Sequence, residues 1–315
     1  MSLKEEIKQY ESLTGVSVDE NLYCALMLAM VAKRHVLVTS RDGDVAGYEI
    51  GTVLNKFWKF GARRLVVDEI QGSSHADALV QCLTDGVVGI LGLVYVIQGV
   101  ERLDKEAQAL LEQVMKTRRV TDKDGQTYVC GELFTVVGVC HEKKVTMLSD
   151  YLKLAFWFQQ PYLPSYEIHD KPDLFSGQSL TRTSISSDRI RSMLTQLNKI
   201  KSITIVPEMK RYIYDIVIFV RTHRCVSTGL PTKTINDLEV LCRTLCVVFE
   251  REFVIPTIVK LAARKLIPLK ITMISPELEP TLQWGSDPEL VREMLKRVKP
   301  EIVVEHCLSK VAPPL

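Results

Sequence analysis

The sequence predicts an α/β domain built on a parallel sheet, followed by an all-helical domain. Three observations lead to this prediction. Short apolar runs alternate with helical patterns in the first half of the chain, and a strand, a loop, a helix and a second strand follow one another between residues 36 and 70. A helix between two such strands favours their parallel pairing, because it returns the chain to the starting edge of the sheet. From residue 188 onward, helical spacing dominates.

The first-half elements follow from the hydrophobic spacing. An apolar helix pattern begins at Asn21 and leads into a buried strand at residues 35–38. A loop over residues 39–46 precedes a second helix, predicted from Tyr48 to Phe60. The spacing then predicts a strand over 64–70, a helix over 76–84, a strand over 93–97, a helix over 105–116 and a strand over 134–139.

The chain changes character after residue 160. Residues 161–187 contain three prolines and a polar Ser/Thr/Gly run with little to pack, which is typical of a linker. Helices are predicted after it over 188–199, 207–221, 234–249 and 256–266. A last helix is predicted near the C-terminus, with Ser286 as its N-cap, Pro288 in its first turn and Glu289 completing a capping box. The predicted domains are the α/β core, 1–160, the linker, 161–187, a helical lid, 188–275, and a C-terminal helical extension, 276–315.

Composition narrows the functional classes. The 315 residues are 46% hydrophobic and 25% charged, enough for one large core or two ordinary ones. A net charge of +2 gives no support to a nucleic-acid partner, although one stays possible. The eight cysteines include no CxxC pair, so we expect reduced, mostly buried thiols. No signal peptide and no apolar run of membrane-spanning length is recognisable, and we expect a protein of the cytoplasm or nucleus without membrane contact.

Residues 36–54 have the strand, loop and helix order in which a Gly-rich phosphate-binding loop is expected. Ser40 stands where the first glycine would be, and Ala46 stands where the phosphate-contacting lysine would be. Carboxylates line the same turn and would repel a triphosphate by roughly 1 kcal/mol at short range. ATP is therefore expected to bind poorly, if at all. The degenerate positions of this loop are Ser40, Gly43, Asp44, Ala46 and Gly47, and the acids of the turn are Asp42 and Asp44.

Two stretches compete for the role of an acidic, Mg²⁺-holding pair. Asp68 and Glu69 follow an apolar run, but they come only one helix after the loop, so an ordinary strand end is the alternative interpretation. At the expected place, one strand later, the pair is replaced by Gln98 and Gly99. Neither residue can hold Mg²⁺ through a carboxylate or act as a base toward water. The sequence predicts no catalytic residue, no metal site and no cofactor.

Several blocks carry a family resemblance, residues 101–104, 108–115, 119–125 and 134–138. They resemble the core of MoxR and magnesium-chelatase-type AAA+ proteins, which implies an AAA+-type, P-loop NTPase-like fold. The resemblance places a γ-phosphate-contacting residue at His141, for which a hydrogen-bonded strand-end histidine is the alternative. The second half resembles the family's helical lid and places its sensor arginine at Lys233, which keeps the charge but lacks the planar fork. Residues 150–158 lack the family's arginine finger.

A closer resemblance lies in residues 156–163, 220–224, 285–295 and 308–315. These blocks resemble the fungal maintenance of telomere capping protein 2 family. The resemblance implies a role linked to telomeres, without implying contact with DNA.

A few side chains are candidates for binding a partner. Trp157 lies in an aromatic triplet and is either a core residue or an anchor for a partner. Arg221, His223 and Arg224 end a helix, where they could contact an anionic partner or simply complement the helix dipole. Cys242 and Cys246 lie four apart on a helix without further ligands, which indicates packing.

Three functional hypotheses follow. The first is a pseudo-ATPase, a non-catalytic adaptor or assembly protein that binds protein partners. The second is a weak or unusual ATPase of the magnesium-chelatase or MoxR type, in which Asp68 and Glu69 hold Mg²⁺ and Lys233 contacts ATP. The third is a nucleic-acid-associated module at chromosome ends.

Overall fold

The computed structural model describes residues 3–14, 18–70, 74–84, 90–131, 133–163 and 187–314. The chain forms two compact units, Met1–Leu197 and Asn198–Leu315. Most of the linker predicted over 161–187 lies outside the described residues.

The first unit is built on an all-parallel sheet. Its five strands have the order β2-β4-β7-β1-β8. The apolar runs that predicted the central strands are buried along their whole length in β1 and β4, as expected for a parallel sheet covered on both faces. The strands of this sheet are β1 Val36–Ser40, β2 Arg63–Val66, β4 Val94–Gln98, β7 Thr135–His141 and β8 Phe158–Pro161. The remaining strands, β3 Ile90–Leu91, β5 Arg119–Thr121 and β6 Thr127–Cys130, form a small second sheet.

Helices connect these strands, which confirms the predicted α/β class. The helices of this unit are α1 Leu3–Thr14, α2 Glu20–Val31, α3 Gly43–Gly51, α4 His75–Thr84, α5 Lys105–Thr117 and α6 Asp150–Ala155, and α7 Ser187–Ser202 spans the boundary between the two units. The buried Glu49 anchors α3, because its carboxylate accepts hydrogen bonds from the Asp19 amide at 2.8 Å and from the Tyr162 hydroxyl. Helix α3 is thus fixed both to the start of α2 and to the end of β8.

Two elements of the first unit differ most from their predicted bounds, and in the second unit the helix predicted over 256–266 continues to Lys270. The helix predicted from Tyr48 begins earlier, at Gly43, because Asp42 caps it, and it continues after Gly51 as a π-helix, Thr52–Phe57. The strand predicted over 64–70 ends at Val66, where the chain turns into a short 3₁₀ helix, Val67–Glu69. The hairpin of β5 and β6 and the edge strand β8 were not predicted.

The second unit is helical, as predicted. Its α-helices are α8 Pro207–Arg221, α9 Lys233–Val248, α10 Pro256–Lys270, α11 Pro288–Arg297 and α12 Pro300–Lys310. Helix α10 packs against both α9 and α12, and α12 also contacts α8. The cap predicted for α11 was wrong by one residue: Asp287, rather than Ser286, caps the helix and accepts a hydrogen bond from the Glu289 amide at 2.9 Å. Among the described residues, no helix combines the length and apolarity needed to cross a bilayer.

Candidate functional site

Four of the predicted site positions lie at the carboxyl edge of the large sheet. Ser40 ends β1 and lies opposite His141, the last residue of β7. Gln98 ends β4 and lies opposite Val139 of β7. Gly99 follows with a φ of +75° and donates its amide to the Val139 carbonyl at 2.9 Å. Ligands of open α/β sheets bind at this edge, so it is the candidate site.

The amides that begin helix α3 are already used. Oδ1 of Asp42 accepts hydrogen bonds from the backbone N–H of Asp44 at 2.9 Å and of Val45 at 3.0 Å. The free N–H groups at a helix N-terminus are the donors that hold phosphate in nucleotide-binding loops. Asp42 therefore occupies the donors that a phosphate group would use. The sequence indicated only repulsion from this carboxylate, and the structure corrects that interpretation.

Ser40 shapes the tight turn that leads into this helix. Its hydroxyl donates to the Asp42 carbonyl at 2.8 Å and accepts from the Asp42 amide at 3.2 Å. The turn between β1 and α3 consequently contains only two residues, Arg41 and Asp42. Arg41 turns to Glu142, with 2.8 Å between Nε and a carboxylate oxygen.

Gln98 closes the other side of the loop. Its side chain is buried, and its Nε2 donates to the Gly43 carbonyl at 2.6 Å. A Cβ on Gly47 would overlap the Gln98 amide nitrogen. If Ser40 marks the first glycine of a phosphate-binding loop, Gly47 falls where the Mg²⁺-binding hydroxyl belongs. This position has no hydroxyl, and a carboxamide covers it.

Ala46 has no exposed surface at this edge. It is fully buried in the first turn of α3. A lysine at this position would have to bury its ammonium or displace the packing around it. The position assigned to the phosphate-contacting lysine by sequence spacing is therefore a core position.

Each acid of the pair after β2 lies near an arginine, in contacts that are partly exposed to solvent. Asp68 forms an ion pair with Arg102, and this hydrogen bond raises the pKa of the Arg102 guanidinium. Glu69 lies 3.8 Å from Arg64. Sequence reasoning missed Arg102, although it lies in the block at residues 101–104 that carries the resemblance. The arginine holds the carboxylate that a Mg²⁺ ion would need.

The two candidate phosphate sensors have different surroundings. Nδ1 of His141 accepts a hydrogen bond from the Lys143 amide at 3.2 Å, which is the arrangement of a strand-end histidine closing a turn. Lys233 is the first residue of α9 in the second unit and its side chain is exposed. A sensor role for Lys233 stays a prediction.

The candidate partner-binding residues make contacts within the chain. Trp157 is only 2% exposed and its ring lies 5.4 Å from that of Phe158, so the core interpretation applies. Arg221 donates from Nε to the Leu230 carbonyl at 3.0 Å. Arg224 forms an ion pair with Glu279 at 2.8 Å, and Nε2 of His223 lies 3.1 Å from Nδ1 of His306.

The described part of the chain contains no group of three or more His, Cys, Asp or Glu residues placed to hold a metal ion. The cysteines are free thiols. Burial raises the pKa of Cys246 to about 11 and also raises the pKa of Cys242, so both are protonated at neutral pH. This supports the packing interpretation of the pair.

The donors at the sheet edge do not fit a Mg²⁺-bound triphosphate. The first amides of α3 donate their hydrogen bonds to Asp42. At the positions where Mg²⁺ ligands are expected, the chain has Gly47 and Gln98, neither of which carries a hydroxyl or a carboxylate. Magnesium prefers carboxylates, phosphates and water as ligands, and the nearby carboxylate of Asp68 is paired with Arg102.

Sequence comparison finds relatives for part of the chain. No protein-family model matches. Maintenance of telomere capping protein 2 of Lachancea thermotolerans is 31% identical over 155 residues, which are 47% of this chain and 48% of that protein. The protein of that name from Candida glabrata is 27% identical over 207 residues, covering 54% and 50% of the two chains. The one from Saccharomyces cerevisiae is 28% identical over 193 residues, covering 52% and 54%. The chain thus spans about half the length of the curated relatives it matches.

Structural comparison covers nearly the whole chain. A crystal structure described as that of a "putative ATPase" from Cytophaga hutchinsonii matches with a TM-score of 0.65, at 14% identity, over 94% of this chain and 95% of that one. At this identity the match shows the fold alone. The chain has an AAA+-type, P-loop NTPase-like fold, and its curated homologues are the proteins named Maintenance of telomere capping protein 2.

Proposed function

We propose that this chain is a pseudo-ATPase: a non-catalytic AAA+-like adaptor or assembly protein linked to the maintenance of telomere capping. The observation that carries the proposal is the Asp42 carboxylate on the first amides of α3. A phosphate at this place would have to displace a group that belongs to the chain itself.

The energetics favour Asp42 over a phosphate group. Breaking an N-cap of this kind costs about 1 kcal/mol. The displaced carboxylate would stay close to the phosphate, together with Asp44, and like charges at short range add a repulsion of about 1 kcal/mol even in a water-like dielectric. At position 46, where spacing places the lysine that could offset this repulsion, the chain has a buried alanine. Weak or absent nucleotide binding is the expected result.

The chemistry of hydrolysis lacks support as well. Gln98 offers an amide where a carboxylate would hold Mg²⁺, and the carboxamide is tied to Gly43. Asp68, the metal ligand of the alternative ATPase hypothesis, is paired with Arg102. Mg²⁺ binding at Asp68 would compete with this exposed ion pair, which is a minor cost of about 0–1 kcal/mol to the ATPase alternative.

The link to telomere capping rests on the name of the relatives. We infer from it that the chain works in the same process, in the nucleus, as part of a protein complex. The carboxyl edge of the sheet then serves as a fixed surface for partners rather than as a nucleotide site.

A thermal-shift titration with ATP and Mg²⁺ tests the pseudo-ATPase proposal, because a ligand that binds the native state must raise the melting temperature. We expect no shift at millimolar ATP in the wild-type chain. The variant Asp42→Ser is the matched control, since serine also caps a helix but carries no charge. It should fold and should bind ATP no more weakly than the wild type.

The other hypotheses give distinct outcomes. ATP turnover by the purified chain that stops in Asp68→Asn or Lys233→Ala would establish the ATPase alternative and overturn the proposal. Binding to DNA that weakens with added salt would favour the nucleic-acid module. The adaptor role itself is tested by affinity purification at native abundance, which should recover the same partners with wild-type chain and with Asp68→Asn.

A further inference from the structure

Basic residues collect at the edge of the large sheet where its strands begin, opposite the candidate site. They come from the turn before β1, from the turn before β2 with the first residue of β2, and from the end of α5. The helices that precede these turns all end at this edge, because each runs back along the parallel strands. We call these residues the basic edge, and they are Lys33, Arg34, Lys59, Arg63, Arg118 and Arg119.

Contacts between backbone and side chains join the parts of the basic edge. The guanidinium of Arg118 donates to the Lys33 carbonyl at 3.3 Å, which links the end of α5 to the turn before β1. Nε2 of His35 lies 3.4 Å from the Met115 carbonyl of the same helix. Strands β7 and β4 lie between β1 and β2, so three strand spacings, about 14 Å, separate the two turns. The basic edge is therefore a row of charges rather than a single point.

Carboxylates do not balance the charges within these turns. Among the described residues 32–35, 58–62 and 118–119, none is acidic. Glu112, on the last turns of α5, already forms an ion pair with Lys116. The Arg63 guanidinium donates to the Cys82 carbonyl at 3.2 Å, a neutral group that orients the side chain and leaves its charge in place. The net charge of +2 for the whole chain thus conceals a local excess, because the fold gathers cations that are far apart in the sequence.

Three of these cations occupy backbone positions that favour glycine. Lys33, Lys59 and Arg118 have φ values of 54°, 55° and 56°, and each follows the end of a helix. A side chain is strained in this left-handed conformation, and glycine is the usual residue there. A cation can complement the helix dipole from any position of the last turn, so the dipole alone does not require the strained position. Strain kept three times at one edge points to a use for the charges.

The surroundings of the row fit phosphate groups better than a protein partner. The described residues of these turns expose no large apolar side chain, and Val129, which pairs with Arg119, is a single half-exposed aliphatic residue. Protein partners are usually anchored by aromatic or apolar side chains, and single-stranded nucleic acid stacks on aromatic rings. A duplex presents one negative charge per about 1.7 Å of its axis, so a row of this length meets several phosphates.

We propose that the basic edge binds the phosphate backbone of a nucleic-acid duplex without reading its sequence. The inference goes beyond the pseudo-ATPase proposal and uses the opposite edge of the sheet. The two can therefore fail separately: nucleotide binding is tested at the carboxyl edge, and duplex binding is tested at the strand starts.

Fluorescence anisotropy of a labelled DNA duplex of about 20 base pairs tests the inference on the full chain. Affinity should fall with salt, with a slope of log K against log salt concentration of about −4, the value for four or five neutralised phosphates. The double variant Lys59→Gln with Arg63→Gln should bind about tenfold more weakly at low salt and lower the slope by about two. The matched control is Lys210→Gln with Lys296→Gln, which removes two exposed lysines of the second unit and should bind like wild type.

A glycine variant separates binding from a purely structural role. Lys33→Gly with Lys59→Gly relieves the left-handed strain, so it should melt at no lower temperature than wild type and still bind the duplex about tenfold more weakly. A lower melting temperature with unchanged affinity would overturn the inference, as would wild-type affinity in the Lys59→Gln, Arg63→Gln variant. Tighter binding to poly-glutamate or to phosphatidylserine vesicles than to the duplex would also overturn it. An RNA duplex of the same sequence, run in parallel, identifies which duplex is preferred, and preferential binding of either one supports the inference.

Discussion

The carboxamide of Gln98 lies where a side chain on Gly47 would begin. These residues are far apart in the sequence, on β4 and α3, and their contact closes one side of the loop between β1 and α3. Gly47 does not have a left-handed φ, so its backbone conformation does not require a glycine. Glycine is needed here because any side chain would overlap Gln98.

The variant Gly47→Ala should therefore be destabilised. The new methyl group must displace the buried Gln98 side chain and its bond to Gly43, and overpacking of this kind costs about 1–3 kcal/mol. Gly43→Ala is the matched control, because a Cβ there meets only Val139, at 4.0 Å. Urea denaturation should show a clearly lower free energy of unfolding for Gly47→Ala. For Gly43→Ala the free energy of unfolding should change by no more than about 0.5 kcal/mol. Equal stabilities of the two variants would contradict the overlap.

The buried carboxylate of Glu49 should make stability depend on pH. Burial raises the pKa of Glu49 above its ordinary 4.5, against the opposing effect of the Tyr162 hydroxyl. A raised carboxyl pKa contributes stability that is fully present below the unfolded value and is lost as the pH rises through the folded value. Glu49→Gln should therefore gain free energy of unfolding relative to wild type between pH 5 and pH 7.5. Glu106→Gln changes an exposed glutamate of α5. Its free energy of unfolding should depend on pH in the same way as that of wild type.

The cap of α11 offers a local test. Asp287→Ala removes the side-chain acceptor of the Glu289 amide and should weaken the helix by about 1 kcal/mol, which raises exchange in α11 about fivefold. Ser286→Ala should leave exchange nearly unchanged, because the Ser286 side chain does not cap the helix. If the serine variant had the larger effect, the capping box predicted from the sequence would be correct after all.

Hydrophobic spacing was sufficient to predict most of the fold. The central strands are nearly continuous apolar runs, and Val36, Val96 and Val137 are buried as such runs require. Strand β8 was missed because it contains two glutamines and a proline, residues that give no strand signal. The hairpin of β5 and β6 was missed because its short strands are half exposed.

The site was predicted less completely. Spacing from the first strand identified Ser40, and the succession of strands identified Gln98, so the positions could be found without a structure. What Asp42 does could not be found in this way, since a carboxylate beside a helix start can cap it or face a ligand. The contact between Gln98 and Gly47 depends on the order of strands in the sheet, which no local pattern contains.

The Asp42 cap also bears on how the chain would respond to the state of the cell. Asp42 belongs to the same chain as the helix that it caps. Its effective concentration at the helix amides is therefore fixed and does not vary with the concentration of nucleotide in solution. If the proposed function is right, a domain whose first helix amides are bonded to its own carboxylate would keep one conformation whatever the cellular ATP concentration.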